Sequence, residues 1–163
     1  MKRLDPPIDL GPDLTFLSEL WALDHALQKC SKRMARDLGV TGPQRLALRL
    51  VSRFPGLPAG RLARLLHLHP STVTGVMKRL ASRGLIVRRS DGPDRRRSLL
   101  QITPAGLALL ARPRPTIESA VHAALGTLKP LEVAMAIKAL GVVALSLEGL
   151  PRRRPAREVQ TVG

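Results

Sequence analysis

Basic side chains dominate the middle of this 163-residue chain. Residues 41–90 contain no aspartate or glutamate, whereas residues 1–40 carry equal numbers of acidic and basic residues. The basic residues of the middle segment are Arg45, Arg49, Arg53, Arg61, Arg64, Lys78, Arg79, Arg83, Arg88 and Arg89. A solvated face normally mixes both charge signs, and a membrane-surface helix confines its basic residues to one stripe. The distribution, with a formal charge of +15, therefore indicates a phosphate-bearing partner.

A second group of candidate residues lies on one short predicted helix that begins near Pro70. Ser71 and Thr72 fall at its start, where free N–H groups and the helix dipole favour a phosphate. Val73, Val76, Met77 and Leu80 are predicted to be buried, so the other side of the helix can reach base edges in a major groove. The residues expected on that side are Thr74, Gly75, Lys78, Arg79 and Ser82.

The elements around this helix are predicted from caps, stops and periodicity. A first helix is expected over residues 13–38, with Asp13 as N-cap and Gly39 as its stop. A second opens at Thr41-Gly42-Pro43 and ends before Phe54, with Leu46, Leu50 and Val51 along it. A third covers residues 58–66, with Leu62, Leu65 and Leu66 inward, and the fourth ends at Gly84. Two short helices that cross in this way predict a helix-turn-helix.

A change of period follows Gly84. Residues 85–89 and 99–102 alternate like strands, and the turn formers Asp91-Gly92-Pro93-Asp94 lie between them. Arg95, Arg96 and Arg97 would then lie near the tip of a projecting hairpin, which is the wing of a winged helix-turn-helix. A fifth helix is expected from Pro104 to Leu125, kinked or broken near Pro113 and Pro115, and a sixth from Pro130 to Leu147, buried on most sides.

Composition limits the remaining fold classes. Hydrophobic residues make up 44% and aromatic residues 2%, which favours a mainly α chain with a small β-hairpin over an all-β sandwich. The single cysteine permits no internal disulfide, and the N-terminal residues lack an apolar signal segment, so we expect a cytoplasmic protein. The longest apolar run, residues 133–147, contains Lys138 and Ser146, so we expect no membrane span.

Residues 57–106 resemble the MarR family of bacterial regulators (multiple antibiotic resistance regulators). The resemblance rests on four ordered segments: Ser71-Thr72-Val73-Thr74, Leu80–Leu85 ending in Arg-Gly-Leu, Asp91-Gly-Pro-Asp-Arg-Arg-Arg, and Leu100-Gln-Ile-Thr-Pro-Ala-Gly. The flanking helices match by arrangement, so the resemblance covers about residues 14–147. One departure is Gly75, where family members often carry a long polar or basic side chain.

The resemblance implies a homodimer whose N- and C-terminal helices interlace, although periodicity alone also permits burial within one chain. It implies repression at a pseudo-palindromic operator on double-stranded DNA, and an effector bound between the dimerisation and DNA-binding parts. Arg95 or Arg96 would enter the minor groove, with Asp94 orienting a neighbouring arginine. Asp91 would support the wing or simply form the turn. Arg45, Arg49, Arg61 and Arg64 are candidate phosphate contacts.

Other residues support weaker hypotheses. Trp21 and His25, one turn apart, are candidates for an effector pocket, although core packing is the favoured interpretation of Trp21. Cys30 is interpreted as a buried structural thiol rather than a redox sensor. His67 and His69 lack further ligands for zinc, so we expect no metal and no cofactor. No catalytic constellation is visible, and we expect no enzyme.

The predicted organisation is an N-terminal arm and dimerisation helix (1–40), a winged helix-turn-helix (41–103), C-terminal dimerisation helices (104–150) and a basic disordered tail (151–163). The main alternative function is a nucleoid-associated or RNA-binding protein that acts mainly by charge. The wing pattern and the low aromatic content argue against that alternative, because binders of single-stranded RNA stack bases on aromatic side chains.

Overall fold

The computed structural model describes residues 8–91 and 94–149, with the backbone alone at residues 90, 91 and 94–98. The chain divides into two compact units, residues 1–120 and residues 121–163. The first unit contains the predicted winged helix-turn-helix, and the second contains the last helix. The predicted tail, residues 151–163, lies outside the described residues.

The first two helices begin and end at local sequence signals. Helix α1 spans Gly11–Leu38 and stops at Gly39, whose φ of 72° is left-handed, as predicted. Asp13 is not its N-cap, because the helix starts two residues earlier and Asp13 lies in the first turn. Helix α2 spans Gly42–Arg53 and has the predicted cap at Thr41. There Thr41 Oγ1 accepts from the Gln44 N–H (3.4 Å), and Gln44 Oε1 accepts from the Thr41 N–H (3.0 Å).

The next elements form the helix-turn-helix. Strand β1, Leu57–Pro58, was not predicted and precedes helix α3, Ala59–Leu65. Helix α4, hereafter the recognition helix, spans Pro70–Ser82, and the chain leaves it through Gly84 at a φ of 65°. The two helices cross over Leu62, Ala63 and the buried side of α4, which confirms the predicted motif.

A β-hairpin follows, as predicted. Strand β2 spans Ile86–Asp91 and strand β3 spans Asp94–Ile102, and they pair antiparallel from Ile86 opposite Ile102 to Asp91 opposite Asp94. Strand β1 pairs with the other edge of β3, which gives the sheet order β1-β3-β2. The hairpin closes at its Asp91–Asp94 end, and this end is the wing.

The predicted fifth helix is two separate helices. Helix α5 spans Pro104–Ala111 and helix α6 spans Ile117–Leu125, with the break at the two prolines as expected. Thr103 caps α5: its hydroxyl accepts from the Gly106 N–H (3.1 Å) and donates to the Gly84 carbonyl (2.6 Å). The hydroxyl of Thr103 thus connects the start of α5 to Gly84, just after the end of the recognition helix.

The core of the first unit lies between helices α1 to α5 and the sheet. Its largest fully buried side chains are Met34, Leu48, Leu62, Leu80, Ile86, Leu100, Val40, Val51 and Val73. Leu65, which was predicted to point inward, is 45% exposed. Neighbouring side chains of a helix point about 100° apart, so a residue next to a buried one can lie at the surface.

The second unit is built on helix α7, Pro130–Glu148. The prediction of a helix there is confirmed, but the prediction that it is buried on most sides is wrong for this single chain, because none of its residues is buried. Among the described residues, α7 is also the one helix whose length and apolar composition would allow it to cross a membrane. Lys138 and Ser146 therefore do not exclude a span by composition, contrary to the sequence expectation.

Candidate nucleic-acid interface

The recognition helix turns an apolar side to the core and a polar side to solvent. Val73, Met77 and Leu80 are buried and fix the rotation of the helix about its axis. The exposed side carries every residue predicted to face DNA from this helix: Ser71, Thr72, Thr74, Gly75, Lys78, Arg79 and Ser82. The structure thus brings these residues together on one accessible face of suitable chemistry.

The start of the recognition helix is capped by a histidine that was not predicted as a cap. His69 is the N-cap, and its Nδ1 accepts from the Ser71 N–H at 3.4 Å. The same nitrogen lies 2.7 Å from Ser71 Oγ. Thr74 Oγ1 donates to the Pro70 carbonyl at 2.9 Å, so its hydroxyl proton is already used within the helix. His69 thereby holds Ser71 in place at the positive end of the helix dipole.

The wing residues can be placed by backbone only. Arg95, Arg96 and Arg97 follow Asp94 in β3, and Asp94 lies opposite Asp91 at the closed end of the hairpin. Their five side chains lie outside the described residues. Arg88 and Arg89, on the neighbouring strand β2, are exposed.

Arg45 is the clear correction among the basic candidates. Arg45 is only 2% exposed, and its guanidinium donates to the carbonyls of Leu109 (3.2 Å) and Leu110 (3.0 Å). Its Nε donates to Glu118 Oε1 at 3.1 Å. Arg45 therefore satisfies the C-terminal carbonyls of α5 and cannot contact phosphate. The other candidates, Arg49, Arg61 and Arg64, are exposed.

A cavity of about 480 Å³ lies in the first unit beside α2. Its apolar wall comprises Leu27, Leu46, Leu66, Leu68 and Ile117. Its polar positions are Gln28, Ser31, Lys32 and Glu118. The Ser31 hydroxyl accepts from the Gly42 N–H at 2.9 Å, which joins α1 to the start of α2 at the cavity wall.

The two residues predicted for an effector pocket do not line this cavity. Trp21 and His25 are exposed on α1, and Trp21 is 66% exposed. Core packing of Trp21 within the chain, the favoured interpretation, is therefore wrong. The apolar side chains around Trp21 are exposed as well, so they have no covering partner among the described residues at this end of α1.

Cys30 and His67 can also be placed in the described part of the chain. Cys30 is partly buried, packs against the core, and accepts from Arg33 Nη2 at 3.7 Å. Among the described residues no group of three or more potential metal ligands occurs. His67 has a left-handed φ of 50° in the turn before the recognition helix.

Comparison with known sequences gives related regulators. A model of the MarR family matches residues 38–97. The chain is 33% identical over 100 residues to the organic hydroperoxide resistance transcriptional regulator of Bacillus subtilis. This match spans 61% of this chain and 67% of the Bacillus protein. It is 34% identical over 96 residues to a Thauera aromatica protein named for transcriptional regulation of the hcr operon. That match spans 59% of this chain and only 55% of the Thauera protein.

Comparison with solved structures also gives transcriptional regulators and MarR-family proteins. The PcaV transcriptional regulator from Streptomyces coelicolor, solved with its natural ligand, is 28% identical with a TM-score of 0.64, covering 86% of this chain and 97% of that one. The Staphylococcus aureus MepR–DNA complex shares the fold at 20% identity and a TM-score of 0.65, covering 84% and 99%. Together with the Bacillus match and the family model, which spans the helix-turn-helix, these likenesses show that the chain belongs to the MarR family.

Proposed function

We propose that the protein is a sequence-specific transcriptional regulator that binds double-stranded DNA as a homodimer and acts as a ligand-responsive repressor. The observation that carries the proposal is the recognition helix, whose exposed face joins hydroxyl groups at the helix start to Lys78 and Arg79 near its end. A helix of this kind fits the width of the major groove. Its relatives are transcriptional regulators, and we assign it no catalytic activity and no cofactor.

In the proposed complex each part of the winged helix-turn-helix has a separate task. Ser71 and Thr72 would bind a phosphate at the start of the recognition helix and set its register. Thr74, Lys78 and Arg79 would face the base edges. Arg95, Arg96 and Arg97 would reach the minor groove from the wing, with Asp91 and Asp94 as their support.

Dimerisation is supported by apolar surface that one chain leaves exposed. Helix α1 exposes Leu14, Phe16, Leu17, Trp21 and Leu23, and helix α7 exposes Leu131, Met135, Ile137, Leu140, Val142 and Leu145. Exposed apolar area of this extent marks an interaction surface. A second copy would cover it, and two-fold symmetry would place the recognition helices roughly 34 Å apart, one turn of DNA.

A lipid bilayer is the other environment that could cover α7. It would leave the exposed apolar residues of α1 without a partner, because α1 carries charged residues throughout its length. A second copy accounts for both helices, so we assign the protein to the cytoplasm. Size-exclusion chromatography with light scattering in detergent-free buffer tests this choice. A discrete dimer supports it, whereas recovery with the membrane fraction contradicts it.

The cavity beside α2 is the proposed effector site. Its apolar wall suits an aromatic body, and Ser31, Lys32 and Glu118 offer polar contacts that would orient a ligand. The Mycobacterium tuberculosis MarR-family protein Rv2887 was solved in complex with p-aminosalicylic acid; it is 25% identical with a TM-score of 0.53, covering 82% of this chain and 98% of that one. Trp21 and His25 remain candidates only at a surface completed by the second copy.

Fluorescence anisotropy with DNA from upstream of the protein's own gene and a scrambled duplex, at two salt concentrations, tests the function. Tight binding to the upstream DNA that resists scrambled competitor and weakens in Arg96→Ala supports a specific regulator. Equal binding to both duplexes that collapses with added salt contradicts it. That second result would favour the alternative, a nucleoid-associated or RNA-binding protein that acts mainly by charge.

A further inference from the structure

Gly75 lies in the middle of the recognition helix, where nothing in the described chain requires a glycine. Its φ is not positive, and a Cβ at this position would meet no heavy atom within 4 Å. Glycine inside a helix loses more conformational freedom on folding than alanine does, and so it weakens the helix. The helix that is proposed to read DNA therefore carries in its middle a residue that weakens it.

Two other glycines of the same unit are required by the fold itself, one by close packing and one by its backbone conformation. At Gly106 a Cβ would collide with the Leu85 carbonyl oxygen, because the start of α5 packs directly on the chain after the recognition helix. Gly39 has a φ of +72°, which side chains rarely adopt. Gly75 has neither a close neighbour nor a special conformation. The fold therefore does not require glycine at position 75, and any requirement for it has to come from the partner that binds the exposed face.

The position of Gly75 on the helix identifies where that partner would lie. Ser71 is one turn before it, and Lys78 and Arg79 are one turn after it, and all four residues are exposed. Hydroxyl and basic groups thus flank Gly75 on both sides along the helix. In the proposed complex Ser71 contacts a phosphate at one end of this face and Lys78 and Arg79 reach base edges at the other, so Gly75 would lie against the groove between them.

We propose that Gly75 is a close-approach position, at which the absent side chain lets the helix backbone come against the base edges of the major groove. This inference rests on the proposed DNA-binding function. It makes Gly75 a determinant of specificity, because only a duplex whose base edges fit the bare helix surface gains the contact. Nonspecific complexes, which are held by phosphate contacts, do not depend on it.

The competing interpretation is a vacant side-chain position, where the groove is open and a contact has simply been lost. The two interpretations predict opposite changes in DNA affinity when a longer side chain is introduced at position 75. A vacant position gains affinity from a longer polar side chain and is indifferent to alanine. A close-approach position loses affinity with alanine and loses more with glutamine, because the duplex and the protein must move apart.

The experiment compares full-length wild type, Gly75→Ala, Gly75→Gln and Gly60→Ala. Gly60 is the matched control, because it is an exposed helical glycine in α3 whose Cβ would also meet nothing within 4 Å. Anisotropy titrations use the duplex most enriched by wild type from a random library, and a scrambled duplex. Thermal unfolding of each free protein is measured alongside.

We expect Gly75→Ala to raise the melting temperature and yet to weaken binding to the enriched duplex about tenfold, with binding to the scrambled duplex unchanged. Gly75→Gln should weaken specific binding further, and Gly60→Ala should leave the ratio of the two affinities unchanged. Specific binding that is equal or tighter in either Gly75 variant overturns the inference alone. A wild type that enriches no duplex overturns the proposed function, and the inference with it.

Discussion

The guanidinium of Arg45 in α2 is joined to the carboxylate of Glu118 in α6, with 3.1 Å between Arg45 Nε and Glu118 Oε1. The same guanidinium satisfies the carbonyls of Leu109 and Leu110 at the end of α5. One buried side chain thus connects three helices at the break between α5 and α6. The second carboxylate oxygen, Glu118 Oε2, is buried and has no hydrogen-bond partner among the described residues.

Replacing Arg45 by methionine should lower the free energy of unfolding substantially. The change leaves a carboxylate without its ion pair and two helix-terminal carbonyls without a donor, for a loss of about 2–4 kcal/mol. The free energy of unfolding of Arg45→Lys should lie between those of wild type and Arg45→Met. A lysine ammonium keeps the charge, but it cannot reach all three acceptors as the planar guanidinium does. Urea denaturation of the three proteins measures the effect.

Arg49→Met is the matched control for Arg45→Met. The Arg49 Nε lies 3.9 Å from the same Glu118 oxygen, but the Arg49 side chain is 52% exposed. An exposed pair of this kind contributes little, so we expect a change below about 1 kcal/mol. If the two methionine variants were destabilised equally, the helix-connecting role of Arg45 would be refuted.

Arg45 also shows where prediction from the sequence stops. The stop of α1 at Gly39, the Thr41 and Thr103 caps and the hairpin were predictable, because their signals lie within a few residues of each feature. The burial of Arg45 depends on Glu118, 73 residues away, and no local pattern reports such a pair. The exposure of α7 was missed for a related reason: an apolar helix has the same sequence whether it lies in a core or awaits a second copy.

Gly106→Ala should destabilise the fold although alanine is the better helix former. The added Cβ would collide with the Leu85 carbonyl oxygen and lie 2.7 Å from Ile102 Cγ1, so backbone must move. Overpacking of this kind costs about 1–3 kcal/mol. A lower melting temperature for Gly106→Ala beside a higher one for Gly75→Ala would confirm that the fold requires glycine at position 106 and not at position 75. Equal melting temperatures would contradict it.

His69→Ala should weaken the start of the recognition helix. The variant loses the Nδ1 acceptor for the Ser71 N–H, and the loss of an N-cap costs about 1 kcal/mol. His69→Asn is the control, because asparagine is a preferred N-cap and restores an acceptor. Hydrogen exchange at residues 71–73 should rise in the alanine variant and return to wild-type values with asparagine. Equal exchange in all three proteins would show that the cap contributes nothing.

Filling the cavity should separate effector response from DNA binding. Leu46 lines the cavity on α2, so Leu46→Trp places a large ring inside it without touching the recognition helix. With p-aminosalicylic acid as the probe of the proposed effector site, the Trp variant should need at least about tenfold more of it than wild type for release from DNA, because the added ring occupies the space that the ligand would fill.

Leu107→Trp controls for an added surface ring, because Leu107 is 50% exposed on α5 and does not line the cavity. Its response to p-aminosalicylic acid and its DNA affinity should both match wild type. Anisotropy of labelled operator DNA during ligand titration reports both quantities for each protein. An unchanged response in Leu46→Trp would place the effector outside this cavity, and the exposed surface around Trp21 and His25 would then be the next position to test.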